Sequence, residues 1–189
     1  MDDSIYPTPI NGMIDGFRVI RALGSKSPAS TLLVRRSDGS EAAVLKFTPQ
    51  GSVEKDVLQQ IDHPGICQLL KAKTLDGHSY LLLSYYGQQT LMDWVEQGIA
   101  ISELTQFFLQ IAGALDALHQ QGYAHGDLRP EHVLIKSNGQ PVLIDLGSAY
   151  RTDEDDTPVS ADRSGSPAYL SPERIQAASS TVAHQETAR

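Results

Sequence analysis

One cysteine, Cys67, stands in 189 residues, so no disulfide closes within the chain and its stability has to come from packing. No apolar run approaches the roughly 18 residues that a bilayer span requires. Basic residues are also in the minority. Fifteen Lys and Arg against 23 Asp and Glu leave a formal charge of -8, which disfavours nucleic acid and anionic membrane as partners. The opening stretch MDDSIYPTPINGMIDG has neither a basic n-region nor an apolar h-region, so no cleaved secretion signal is expected and a cytoplasmic location is. What is present is an ordinary globular mixture, 40% apolar and 20% charged, long enough for one large or two small domains with a substantial core.

Along the chain, residues 1–15 carry two prolines and no period, and read as an extended lead-in. Three strands are expected at Phe17 to Leu23, Thr31 to Arg36 and Glu41 to Phe47, the last two joined at Ser37-Asp38-Gly39. Ser52 caps a short helix, Val53 to Ile61, that "HPG" (His63 to Gly65) stops. Two more strands, Cys67 to Thr74 and His78 to Tyr86, complete a five-stranded antiparallel lobe with one helix. Beyond Gly87 the pattern turns helical, with a short helix at Leu91 to Gln97 and a long one at Ser102 to Gln121. In the long helix Leu104, Phe107, Phe108, Ile111, Leu115 and Leu118 recur at helical spacing. "HVLIK" and "PVLID" then flank Ser137-Asn138-Gly139-Gln140, a tight hairpin signal. After Tyr150 the chain is polar and acidic, and after Arg174 it has little to pack.

The hairpin carries Asp127 on its incoming loop and Asp145 at its exit, so two carboxylates face one site. Paired anions repel unless their tasks differ. One can accept the proton of an incoming hydroxyl while the other binds a cation, the two tasks of phosphoryl transfer. A phosphate ligand also needs a positive group, and Lys46 is the lone cation in the apolar run "AAVLKF". Glu54, in the following helix, is its expected partner. Blander readings stand beside these: the carboxylates as hairpin caps, Lys46 as a snorkelling strand lysine, Glu54 as a favourable charge in a first helical turn. His125 is expected to be structural. His132 is equally readable as structural or as lying beside a metal.

These residues resemble the protein kinase family, in the family's own order, from about Gly16 to Arg174. "AVLK" is similar to its VAIK strand, "HGDLRPEH" to the catalytic loop HRDLKPEN, "DLG" (Asp145 to Gly147) to DFG, and "GSPAYLSPE" (Gly165 to Glu173) to the docking loop and APE motif. The resemblance implies a bilobal α+β fold: an extension (1–15), an N-lobe (16–86), a shortened, mainly helical C-lobe (87–174) and a disordered tail (175–189). It implies Asp127, Lys46 and Arg129 as catalytic residues. ATP contacts are implied for Gly24, Lys26, Val44, Lys46, Glu54, Ser84, Tyr86 and Asp145. Magnesium is implied at Asp145, with His132 at the second metal position. The expected activity is transfer of the gamma-phosphoryl group of MgATP to a protein serine or threonine hydroxyl.

Several positions depart from the family pattern. Lys26 and Ala29 stand where the phosphate loop has its second and third glycines, Gly126 replaces an arginine, Arg129 a lysine and His132 an asparagine. Fifteen residues follow Arg174, and the helices that meet the matching glutamate in the family are not among them: either this lobe is minimal, or a partner chain or self-association completes it, or the polypeptide is a piece of something longer, and an exposed apolar patch below the long helix is expected. Two rival functions follow. One is a pseudokinase that binds nucleotide or protein without transfer. The other is a small-molecule phosphotransferase, suggested by "HGDL" and opposed by "GSPAYLSPE".

Overall fold

The computed structural model describes residues 12–24, 30–75, 78–98, 101–152, 167–172 and 175. They divide into two compact units, one of Met1–Gln59 with Cys67–Tyr85, the other of Gln60–Ile66 with Tyr86–Arg189.

The first unit is an antiparallel sheet of six strands in the order β1-β2-β3-β4-β6-β5, with one helix. The strands are β1 (Met13–Ile14), β2 (Phe17–Ala22), β3 (Thr31–Arg36), β4 (Ala42–Thr48), β5 (Leu69–Leu75) and β6 (His78–Ser84); α1 spans Val53–Gln60. The sequence reading expects five strands and an extended lead-in. Instead β1 pairs with β2 through Asp15-Gly16, because Ile14 and Phe17 both have core to enter and are each 3% exposed. Alternation along β4 is clean: Ala43, Leu45 and Phe47 are buried with Val34, Tyr80 and Leu82, while Val44 and Lys46 share the other face.

β1 and β5 lie at opposite ends of the strand order, yet the sheet curls enough for Asp15 to reach across. Its carboxylate accepts from Lys71 Nζ at 2.8 Å and Lys73 Nζ at 2.5 Å. The Lys71 hydrogen bond, then that of Lys73, holds the Asp15 carboxyl below its ordinary value. Asp38 sets the β3–β4 turn, accepting from Ser40 N at 2.9 Å.

The second unit is built on α3 (Ile101–Gln120), preceded by α2 (Leu91–Glu96). A reciprocal cap between Thr90 and Asp93 starts α2. Phe107, Ile111, Ala114 and Leu118 form the buried stripe of α3, which packs on β7 (Tyr123–Ala124) and β9 (Pro141–Leu143). Phe108, expected in that stripe, is 52% exposed; its neighbour Phe107 already occupies the inward position, and the two rings meet edge to face. β8 (Val133–Ile135) and β9 form the expected hairpin, with Asn138 Oδ1 accepting from Gln140 N at 3.1 Å. His132 falls outside the strand predicted for it, because Pro130 opens a 3-10 turn over Pro130–His132. β10 (Tyr150–Arg151) pairs with β7. Among the described residues no helix is long and apolar enough to cross a membrane.

Candidate active site

On the sheet unit, period-2 alternation turns Lys46 away from the core onto the face it shares with Val44, opposite Leu81 and Leu83. Lys46 Nζ lies 2.6 Å from Glu54 Oε2, and the Glu54 side chain is 1% exposed. A carboxylate so deeply placed fixes the lysine's direction, since leaving it without a cation carries a large desolvation cost. Ser84, at the end of β6, donates from Oγ to Gln68 Oε1 at 3.3 Å. Gly24 closes β2 with a positive φ of 84°. Lys26 and Ala29 lie outside the described residues.

On the helical unit, three elements converge on the loop after β7. His125 is buried at 3% exposure; its Nδ1 accepts from Asp127 N at 3.4 Å and its Nε2 reaches the Ile144 carbonyl at 3.2 Å. It joins the loop that bears Asp127 to the strand end that leads into Asp145. Burial, and after it the neighbouring His132, holds the imidazole below its ordinary value. A neutral ring is the form able to accept from one main-chain group and donate to another.

His132 ties the two carboxylates together. Its Nδ1 lies 2.8 Å from the Asp127 carbonyl and 3.4 Å from Asp127 Oδ2, and its Nε2 lies 3.6 Å from Asp145 Oδ2. Both carboxylates are therefore within the span of one imidazole. Asp145 has a left-handed backbone, φ 62° and ψ 66°, at the start of the 3-10 turn Leu146–Ser148. Aspartate tolerates that region better than most residues, and strain of this kind concentrates at functional sites. Arg129 Nε sits 3.3 Å from Glu131 Oε2, and Lys136 Nζ lies 5.3 Å over the Tyr86 ring while donating to the Pro64 carbonyl.

Sequence reasoning missed one contact. Gly126 has φ 79°, and a Cβ built there would lie 1.9 Å from the Ser148 carbonyl oxygen. The chain after "DLG" thus packs directly on the main chain of the Asp127 loop. The one available signal was glycine standing where the resembling motif has arginine. Ser166, Glu173 and the acidic run Asp153 to Asp156 lie outside the described residues.

The sheet unit thus carries a lysine paired with a buried glutamate, and the helical unit two aspartates flanking a hairpin. The protein kinase domain profile matches residues 18–186. The chain belongs to the protein kinase family, and its fold is that family's α+β fold with an antiparallel-sheet N-lobe and few helices. It is 27% identical over 190 residues to the serine/threonine-protein kinase AtPK2/AtPK19 of Arabidopsis thaliana, covering 93% of this chain and 40% of that protein. It is 30% identical to human serine/threonine-protein kinase MRCK gamma, over 86% of this chain and 11% of the relative. Human myotonin-protein kinase is also 30% identical, over 86% of this chain and 28% of the relative. The chain therefore spans two-fifths or less of the length of these proteins.

Proposed function

We propose that the chain is a serine/threonine protein kinase that moves the gamma-phosphoryl group of ATP to a protein hydroxyl. The observation that carries this reading is His132 spanning Asp127 and Asp145, which keeps two carboxylates of different duty at one place. Asp127 accepts the substrate hydroxyl's proton. Lys46, aimed by Glu54, binds ATP phosphates, and Arg129 adds positive charge nearby. Val44 contributes an apolar surface to the nucleotide, with Gly24, Lys26, Ser84 and Tyr86 as further contacts. Asp145 offers hard carboxylate oxygens that suit magnesium, and the ion, when bound, neutralises phosphate charge. Catalysis on this reading is mainly placement and electrostatics.

The acidic chain favours a basic protein substrate. A cytoplasmic site of action belongs to the same reading. Val95, Phe108 and Leu109 on the helical unit are each more than half exposed, and a partner chain or self-association covering apolar surface of that unit belongs to this reading. The pseudokinase reading is favoured by His132, because imidazole is a poor ligand for magnesium.

The test is transfer of radiolabel from gamma-labelled ATP to a generic basic protein. Transfer is expected, with Asp127→Ala lowering it about 10²–10⁴-fold and Lys46→Met abolishing it. No transfer together with a nucleotide-dependent rise in Tm would replace the kinase by the pseudokinase. Transfer to a small metabolite alone would point to the third reading.

A further inference from the structure

The β8–β9 hairpin holds another stretch of the helical unit on each side. On the β9 side Leu143 N donates to the Gly65 carbonyl at 2.8 Å, and Ile66 bridges Leu143 in parallel. On the β8 side Ile135 N donates to the Gln89 carbonyl at 2.8 Å, and Thr90 bridges Leu134. Lys136, just past β8, touches both flanks. Its Nζ donates to the Pro64 carbonyl and lies 5.3 Å from the centre of the Tyr86 ring. Partial burial holds its pKa below the ordinary lysine value, the mark of an ammonium that has given up water for these partners.

The two partners are unequally held. The turn at 63–66 is cross-tied: Gly65 N donates to His63 Nδ1 at 3.0 Å, Ile66 N to the His63 carbonyl at 3.0 Å, and a Cβ at Gly65 would meet Ala114 Cβ of α3 at 2.9 Å. At Tyr86 the chain has just re-entered the helical unit, and Gly87 follows with φ 96°, a residue that restrains its neighbours little. Lys136 therefore carries the order of the turn to Tyr86.

We propose that Lys136 is a positioning residue for the nucleotide: by holding Tyr86 it fixes the segment that meets the purine base. This rests on the kinase reading, in which Ser84 and Tyr86 are nucleotide contacts while Lys46 and the cation at Asp145 take the phosphates. Loss of Lys136 thus acts on the base end alone.

The experiment is calorimetric titration of the full chain with MgADP and with magnesium tripolyphosphate, which has no base. Lys136→Met is expected to weaken MgADP about three- to tenfold, the strength of a partly exposed cation–π contact, and to leave tripolyphosphate unchanged. Lys136→Arg keeps the charge and is expected to recover most of the loss. Added to Tyr86→Leu, Lys136→Met should cost nothing further. Hydrogen exchange without nucleotide reads the hold directly, and the amides of residues 86–89 are expected to exchange about tenfold faster in Lys136→Met. Unchanged MgADP affinity, an equal fall for tripolyphosphate, additive losses in the double variant or unchanged exchange each overturns the proposal and leaves the kinase reading standing where the wild type binds MgADP. If the wild type binds no MgADP while exchange rises in Lys136→Met, the kinase reading falls, the nucleotide role falls with it, and the hold on Tyr86 stands.

Discussion

Gly126→Ala is expected to be among the most damaging single-methyl changes in the chain. Two costs combine. At φ 79° an alanine occupies the left-handed region, which costs about 1–2 kcal/mol for a residue with a Cβ. The new Cβ also falls 1.9 Å from Ser148 O and 2.7 Å from Ser148 C, backbone atoms that cannot rotate aside as a side chain would. Forced repacking of that kind costs about 1–3 kcal/mol. Together these amount to about 2–5 kcal/mol. For a chain of this size each kcal/mol moves Tm by about 2–4 °C, so the expected fall is about 4–20 °C. Gly139→Ala is the control: it has φ 80° in the same unit, with nothing within 4 Å of the added atom. It carries the backbone cost alone and is expected to lose about 2–8 °C. Thermal melts followed by circular dichroism give both values. Equal losses in the two variants would refute the close approach of Ser148 to the Asp127 loop. A wild-type Tm in both would refute the backbone cost as well.

Lys46→Met removes the cation 2.6 Å from the Glu54 carboxylate, whose side chain is 1% exposed, and is expected to cost about 3 kcal/mol in urea unfolding. The double variant Lys46→Met/Glu54→Leu should recover a good part of it; losses that simply add would show the pair to be uncoupled. Stability is expected to fall as pH drops below about 6.5, the ordinary histidine value. Folded His125, held below that value, refuses a proton that the unfolded chain accepts. Urea midpoints between pH 7.5 and 5.5 measure this, and an unchanged slope in His125→Asn would assign the effect elsewhere. Asp15→Asn removes the acceptor of Lys71 and Lys73 across the curled sheet. The pair is largely exposed, so a loss of about 1 kcal/mol or less is expected, and a much larger one would show that the clamp closes the sheet.

Local pattern decided much of this protein. Alternation in "AAVLKFT" places Val44 and Lys46 on one face whatever else the chain does, because side chains in a strand alternate. "SNGQ" between two apolar runs sets a tight hairpin, and Asp127 and Asp145 flank it by chain connectivity alone. The stripe Phe107, Ile111, Leu118 follows from 3.6 residues per turn; Phe108 shows the limit, since its spacing alone did not say which side of the stripe meets the core. Other features belong to tertiary structure, where residues distant in sequence meet. The curl that brings Asp15 to Lys71 and Lys73 is a property of the whole sheet, and β1 exists because that curl gives Ile14 a core to enter. Gly126 against Ser148 is likewise invisible to local pattern, since it needs the segment after "DLG" folded back on the loop. The sequence named His132 as an oddity at a motif position. Only the fold, by setting one ring nitrogen on the Asp127 carbonyl and the other toward Asp145, decided that its ring lies between the two carboxylates.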